Sequence, residues 1–344
     1  MRGAPGARGA AARSLDLLAA LRPQLWIPAI LLFESGRTVA GRGSLAWPGH
    51  GSGPWAALLS LLAILGAVHV GNAWRDRISD RRNRKAGPIA DGTVSGRAAA
   101  WLAAACLAAA AAAASRPEVG GASRLLLLAA ALLGALYVVP PFEAKRRAWL
   151  DLAAQAAGYG LVAFLLGAST AIAIAPRLLL DAAPYAAGIA SVSLLTMIAD
   201  REGDRAAGQE TTAVRIGSAA AERLALGFAC LAAALGLARS DAVPGLWGAA
   251  AAAWIGLGPP EGASGDAAAR PSESRIRDAV ALQILLASLL ATRTPIPFLA
   301  TAAIGLLVAL DSRRRRGTLY PLGFFTGGAA GSDAGAATAR DASR

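Results

Sequence analysis

The sequence predicts an all-α, polytopic transmembrane helix bundle of nine or ten spans, and three observations predict it. The chain is 55% hydrophobic with a mean hydropathy of +0.47, and only 16% of its 344 residues are charged, against roughly a quarter in soluble domains. Its apolar residues, mostly Ala and Leu, fall in runs of about the 17–25 residues that cross a bilayer, without the alternating period of a membrane barrel. The basic residues that set the net charge of +12 gather in short segments between those runs. That is the distribution of cytoplasmic loops rather than the basic face of a nucleic-acid binder, so nucleic acid is not an expected partner.

Residues 1–20 read as a disordered, basic cytoplasmic lead. "MRGAPGARGAAARS" lacks the apolar core of a signal peptide. Candidate spans follow at 24–41, 55–76, 97–115, 122–140, 149–174, 178–199, 221–238, 242–257, 277–292 and 295–311. The first carries Glu34 and Arg37, and the eighth and ninth are short, which leaves the count at nine or ten. The segments after spans two, four and six ("RISDRRNRK", "EAKRRAW" and "REGDRAAG") share one side, because each pair of spans crosses and returns. All are rich in Lys and Arg, which makes that side the cytoplasm. The lead, with Arg2, Arg8 and Arg13, falls there too, as does the loop 258–276 with Arg270 and Arg275. The "RRRR" run at 313–316 favours the same side, hence ten spans. Residues 313–344 read as a basic stop and disordered tail. No long linker divides residues 21–312, which form one domain. Cys106 and Cys230 each sit in an apolar run and read as small core residues. His50 and His69 are too far apart for a metal cluster, and His69 reads as a packing or interface residue.

Two short stretches carry the chemistry. "RDRISDRR" (75–82) and "ADREGDRA" (199–206) each place Asp-Arg, two residues, then Asp-Arg at the end of an apolar run. Four spans separate the copies, so the chain reads as two pseudo-repeated four-helix units, each presenting an acidic helix end to the same face. Asn72, Asp76 and Asp80 are spaced i, i+4, i+8, and Asp200 and Asp204 i, i+4, so each set shares one helix face. Stacked carboxylates repel unless a cation lies between them. Hard oxygen ligands suit Mg2+, which takes one or two carboxylates plus substrate phosphates. Solvated charges at a helix end are the plain alternative for one copy, but two copies at one membrane depth point to function. "YVVPPFEAKRRAW" (137–149) adds Tyr137, a double proline that stops the helix, and Lys145, Arg146 and Arg147. These cations suit diphosphate oxygens that a metal leaves uncovered. The residues together describe a Mg2+-bound diphosphate at the cytoplasmic rim, its apolar tail among the spans.

These residues resemble the UbiA superfamily of intramembrane prenyltransferases. The family's N-x-x-x-D-x-x-x-D motif is matched by Asn72, Asp76 and Asp80, and its second D-x-x-x-D motif by Asp200 and Asp204. "EGDRAAGQETTAVRIG" (202–217) and "YVVPPFEAKR" are similar to the family's stretches after the second motif and after span four. "LRPQLW" (21–26) is similar to its opening, where Arg22 would help hold phosphate. The resemblance covers roughly residues 20–310. It implies a helix bundle around a central apolar chamber, and Mg2+-dependent transfer of a prenyl group from an isoprenyl diphosphate to an aromatic or lipid acceptor. The five motif residues Asn72, Asp76, Asp80, Asp200 and Asp204 would hold the metal. Asn72, Arg22, Arg84, Tyr137, Lys145, Arg146 and Arg201 would hold diphosphate. The protein would be a multi-pass protein of a bacterial cytoplasmic membrane with its site facing the cytoplasm. Three departures bear on this. Gly87-Pro88 stands where many members have Arg-Pro, so Arg84 or Lys85 would have to substitute. Thr196-Met197 stands where related enzymes often have Lys-Asp, and a tenth span exceeds the family's usual nine. A non-catalytic prenyl-lipid-binding homologue and a transporter are the competing classes. Transporter charges belong near the midplane, whereas these Asp residues lie at span ends.

Overall fold

The structure, a computed structural model, describes residues 9–41, 51–82 and 87–257, together with scattered residues between 281 and 314. Among these the chain is helical throughout, with one isolated bridge, Arg147 to Glu210, in place of any strand. Helix α1 (Ala10–Leu21) ends at Arg22, which takes a left-handed conformation at φ 53. Pro23 then opens a short 3-10 turn that leads into α2 (Ile27–Val39). The expected disordered lead is therefore corrected over residues 10–20. The Leu17, Ala20 and Leu21 face of α1 packs on Val70, Ala73, Ile89, Val94 and Ala99, and that burial folds a segment whose low complexity suggested disorder.

Helix α3 (Ser52–Arg82) and the later α8 (Pro176–Ala206) are 31 residues each. A helix of that length runs roughly 46 Å against a hydrocarbon core of about 30 Å, so the final turns of both stand at the membrane rim. Those turns carry the two acidic motifs. Between them lie α4 (Gly96–Ala114), α5 (Gly121–Val138), α6 (Leu150–Gln155) and α7 (Ala163–Ser169). The Ser95 hydroxyl caps α4 by accepting from the Ala98 amide at 3.2 Å. Helices α6 and α7 are one continuous span, Leu150–Ser169, interrupted by a π-helical segment at Ala156–Val162. The short α9 (Thr212–Ile216) precedes α10 (Ser218–Ala238) and α11 (Ala242–Leu257).

Among the described residues, seven helical segments are long and apolar enough to cross a bilayer, and Ala242–Leu257 is a shorter apolar helix. They coincide with the first eight expected spans. The expected spans 277–292 and 295–311, the loop 258–276 and the tail lie largely outside the described residues. The pseudo-repeat shows in the packing. Helices α2 and α7, each the element before a motif-bearing helix, cross face to face through the same short pattern, Phe33 to Gly36 and Phe164 to Gly167. A Cβ on Gly36 would strike the Phe164 carbonyl, and one on Gly167 the Phe33 carbonyl. Small residues that let backbones touch are how helices associate where lipid removes the hydrophobic drive. The main core gathers α2, α3, α7, α8, α10 and α11, with Phe33, Phe164, Leu194 and Trp247 almost fully buried.

Candidate functional site

The first motif gathers cations from two other segments. Lys145, in the loop that follows α5, donates to Asn72 Oδ1 and to Asp76 Oδ1, both at 2.7 Å. Arg146 lies 3.7 Å from the same Asp76 oxygen. Arg22 reaches within 3.9 Å of Asp80 Oδ2, an approach made by the left-handed break between α1 and α2. The sequence reading foresaw Lys145, Arg146 and Arg22 as phosphate ligands; here they rest on the acidic residues. Lys145 is only 6% exposed. Burial lowers its ammonium below the usual range, with Asp76 opposing the shift.

The loop carrying Lys145 is held from both ends. Arg75 donates to Glu143 Oε1 at 2.5 Å. Burial alone would raise the Glu143 carboxyl, but the Arg75 hydrogen bond and the neighbouring Arg146 and Lys145 charges hold it below the usual carboxylate range. At the other end, Asp151, 1% exposed, accepts from the Thr212 amide at 2.7 Å and from the Thr212 hydroxyl at 2.5 Å. The Trp149 amide donates to Thr212 Oγ1 at 2.8 Å, and the Glu210 amide to the Arg146 carbonyl at 3.2 Å. The loops after α5 and α8 are thus clasped together. Asp151, Thr212 and Glu143 were not foreseen. Their one signal was Asp151 itself, an acid in the first turn of an otherwise apolar span.

The second motif lies across from the first. Asp200 and Asp204 are half-buried, one turn apart near the end of α8. Asp204 Oδ2 accepts from Thr211 Oγ1 at 3.3 Å. The carboxylates of Asp151, Asp76 and Asp204 all act electrostatically on the Tyr137 hydroxyl, which accepts from Gln155 Nε2 at 3.1 Å. The two copies are linked through neighbouring residues: Arg146 lies beside Asp76 and bonds to Glu210, next to the Thr211 that bonds to Asp204. Arg201 is not drawn into this group: it donates to Ser218 Oγ at 3.1 Å and lines a cleft of about 280 Å³ with Glu202, Arg205 and Ala206. Arg84 lies outside the described residues. Gly87 and Pro88 open a compact turn that accepts from Asp91, Thr93 and Val94, and Arg81 pins it through the Ala90 carbonyl. Met197 packs against the main core and adds no third acid to the second motif.

Among the described residues no three His, Cys, Asp or Glu side chains form a group that could hold a metal unaided. The donor set nevertheless suits Mg2+, which binds through one or two carboxylates and fills its remaining positions with water and substrate phosphate. The Lys145 ammonium shows the fit. It is a cation held at hydrogen-bond distance by Asn72 Oδ1 and Asp76 Oδ1 together, so those two oxygens converge on a single cationic point.

Comparison with known proteins bears on the family and the fold. Residues 37–259 match the profile of the UbiA prenyltransferase family. Among solved structures, a UbiA homologue from Archaeoglobus fulgidus bound to GPP and Mg2+ superposes with a TM-score of 0.63 at 21% identity, over 84% of this chain and 99% of that one. Digeranylgeranylglyceryl phosphate synthase gives 0.59 at 14% identity, over 82% and 98%. An apo UbiA homologue from Aeropyrum pernix K1 gives 0.55 at 18%, over 80% and 98%. Among curated proteins, none matches the sequence.

Proposed function

Since the chain belongs to the UbiA prenyltransferase family, we propose that it is a multi-pass membrane enzyme moving a prenyl group from an isoprenyl diphosphate to an aromatic or lipid acceptor, with Mg2+. The observation that carries this reading is the meeting of Asn72, Asp76 and Lys145 at one point, on a loop whose Arg146 bonds to Glu210 beside the second motif. Two acidic helix ends, the first with cations resting on it, suit a metal-bound diphosphate. The Archaeoglobus fulgidus homologues hold GPP or DMAPP together with Mg2+, which supports the same donor class here.

Asn72, Asp76 and Asp80 on one side and Asp200 and Asp204 on the other would hold Mg2+. When bound, it withdraws charge from the diphosphate leaving group. Lys145 and Arg146 move from Asp76 to diphosphate oxygens as the donor enters, and Arg22 approaches from beside Asp80. Their positive charge stabilises the leaving group as the allylic C–O bond breaks. The Asp151–Thr212 clasp fixes the loop that carries these cations. The apolar bundle, lined largely by Ala and Leu, takes the prenyl chain and excludes water from the carbocation. The basic loops favour a cytoplasmic motif-bearing rim, with residues 21–312 as the catalytic unit.

The test is release of diphosphate from geranyl diphosphate by the purified full chain, with and without Mg2+. The enzyme releases it only with Mg2+. A non-catalytic prenyl-lipid binder would take up the donor without releasing diphosphate, and a transporter would do neither.

A further inference from the structure

Behind the second acidic motif, Arg201, Glu202, Arg205 and Ala206 line the cleft of about 280 Å³, and donor binding as proposed above gives it no task. At 3.6 residues per turn, Arg201 and Arg205 share one face of α8, turned about 100° from the face of Asp200 and Asp204. The cleft is therefore separate from the motif. Arg201 Nη1 donates to Ser218 Oγ at 3.1 Å, whereas its Nε is buried with no hydrogen-bond partner among the described residues. Ser218 is the first residue of α10. A helix N-terminus already carries the positive end of the macrodipole, and α10 has neither an acidic residue in its first turn nor a side-chain cap. A guanidinium pinned there is repelled unless an anion joins it, and exposed Arg205 adds a second positive charge. Arg22 faces Asp80 and Arg75 faces Glu143, but the only acid lining this cleft is the exposed Glu202.

The depth of the cleft says where that anion comes from. The apolar run of α8 ends at Ile198 and Ala199. Arg201 stands roughly 4 Å beyond Ile198 along the helix, and Arg205 roughly 10 Å. The headgroup layer adds roughly 5–8 Å to each side of the hydrocarbon core, so the two arginines bracket the level of the lipid phosphates. Basic pockets between helices at this level hold lipid headgroups. We infer that the cleft binds the phosphate of an anionic lipid, a phosphodiester with hydroxyls at its outer end. Two guanidiniums against one carboxylate leave one positive charge for one phosphodiester. Arg201 Nε and the planar Arg205 group donate to its oxygens, and Glu202 accepts from a headgroup hydroxyl. A choline headgroup brings its own compensating cation and no hydroxyl, and so fits less well.

The lipid joins two helices that already touch deeper in the bundle, where Ser191 of α8 donates to the Ala225 carbonyl of α10 at 2.8 Å. At the rim the link between them is Arg201 on Ser218. A phosphate that neutralises Arg201 relieves its repulsion from the head of α10 and steadies the last turns of α8. This site stands whether or not the chain transfers prenyl groups, because neither the donor nor Mg2+ enters it.

The experiment uses the full chain, delipidated in detergent, with neither donor nor Mg2+ present. Dioleoyl phosphatidylglycerol and dioleoyl phosphatidylcholine are titrated in turn, and native mass spectrometry counts the lipid retained. The wild type is expected to hold one phosphatidylglycerol at least about tenfold more tightly than phosphatidylcholine, the scale of a charge-assisted contact. Arg201→Gln and Arg205→Gln each weaken phosphatidylglycerol binding about fivefold or more, the effect of one arginine at a charged membrane surface. Arg223→Gln removes an exposed charge of α10 outside the cleft and changes binding by less than about twofold, as for an isolated surface charge. Millimolar inorganic phosphate, the other source of the same chemistry, leaves the lipid in place. Equal retention of both lipids, full phosphatidylglycerol binding by Arg201→Gln, an equal loss in Arg223→Gln, or displacement of the lipid by free phosphate would overturn the inference. Should Arg201→Gln not fold, Arg205→Gln, at an exposed position, carries the test.

Discussion

Lys145 is the cation held closest to the first acidic motif. It is buried, it touches both Asn72 and Asp76, and it sits on a loop fixed at each end. Neighbouring Arg147 is exposed, and its side chain donates to the Pro141 carbonyl nearby. Lys145→Ala should therefore weaken geranyl diphosphate binding on the order of tenfold to a hundredfold, the scale of a charge-assisted contact of about 1.5–3 kcal/mol. Arg147→Ala should change it by less than about twofold. Titration of both variants with donor and Mg2+ checks this, and equal losses would reduce Lys145 to one charge in a diffuse basic patch. Asp151 acts through the clasp. Asp151→Ala leaves the Thr212 amide and hydroxyl without their buried acceptor, at a cost of about 1–3 kcal/mol. Its thermal unfolding should fall by several degrees and donor affinity should drop with it. An unchanged melting temperature would mean that the clasp contributes nothing. The acidic motifs and Lys145 were legible in the sequence because regular helical spacing advertises them. Asp151 was not, because its partner lies on another helix and a single polar residue inside an apolar run resembles a packing residue.

At the scale of elements, the crossing of α2 and α7 sets how the two halves meet. Gly36 and Gly167 each lie against a carbonyl of the other helix, and Arg37 Nη1 donates to Thr170 Oγ1 at 2.6 Å beside them. Gly167→Leu should push the helices apart, lower the melting temperature more than Gly227→Leu, whose Cβ meets nothing within 4 Å, and shift the monodisperse peak in detergent. Equal effects at the two positions would show that the crossing is loose. Hydropathy located the helices within a few residues, since each must be apolar over a membrane's thickness. The π-helical segment at Ala156–Val162 and the folded α1 escaped it. A π turn leaves the apolar run uninterrupted, and the low-complexity lead folds only because Val70, Ala73 and Ala99 lie under it.

At the scale of the whole molecule, two like units cross at α2 and α7 and bring two acidic helix ends to one rim. The repeat was visible as duplicated Asp-Arg spacing, whereas the link between the copies through Arg146 and Glu210 needed the tertiary fold. The basic loops predict that reporter fusions at residue 94 and after residue 210 both read as cytoplasmic, and a fusion between α4 and α5 as external. Any other pattern would turn the site to the opposite face. The central claim is that both acidic ends are required for metal-dependent ionisation of an isoprenyl diphosphate. Its most direct test is the rate of Mg2+-dependent diphosphate release from geranyl diphosphate by purified wild-type, Asp76→Ala and Asp204→Ala chains, each first shown to insert and remain monodisperse. The account predicts Mg2+-dependent release by the wild type and a loss on the order of 10³-fold in each variant, several kcal/mol of transition-state stabilisation. Release at the wild-type rate by either variant would contradict it.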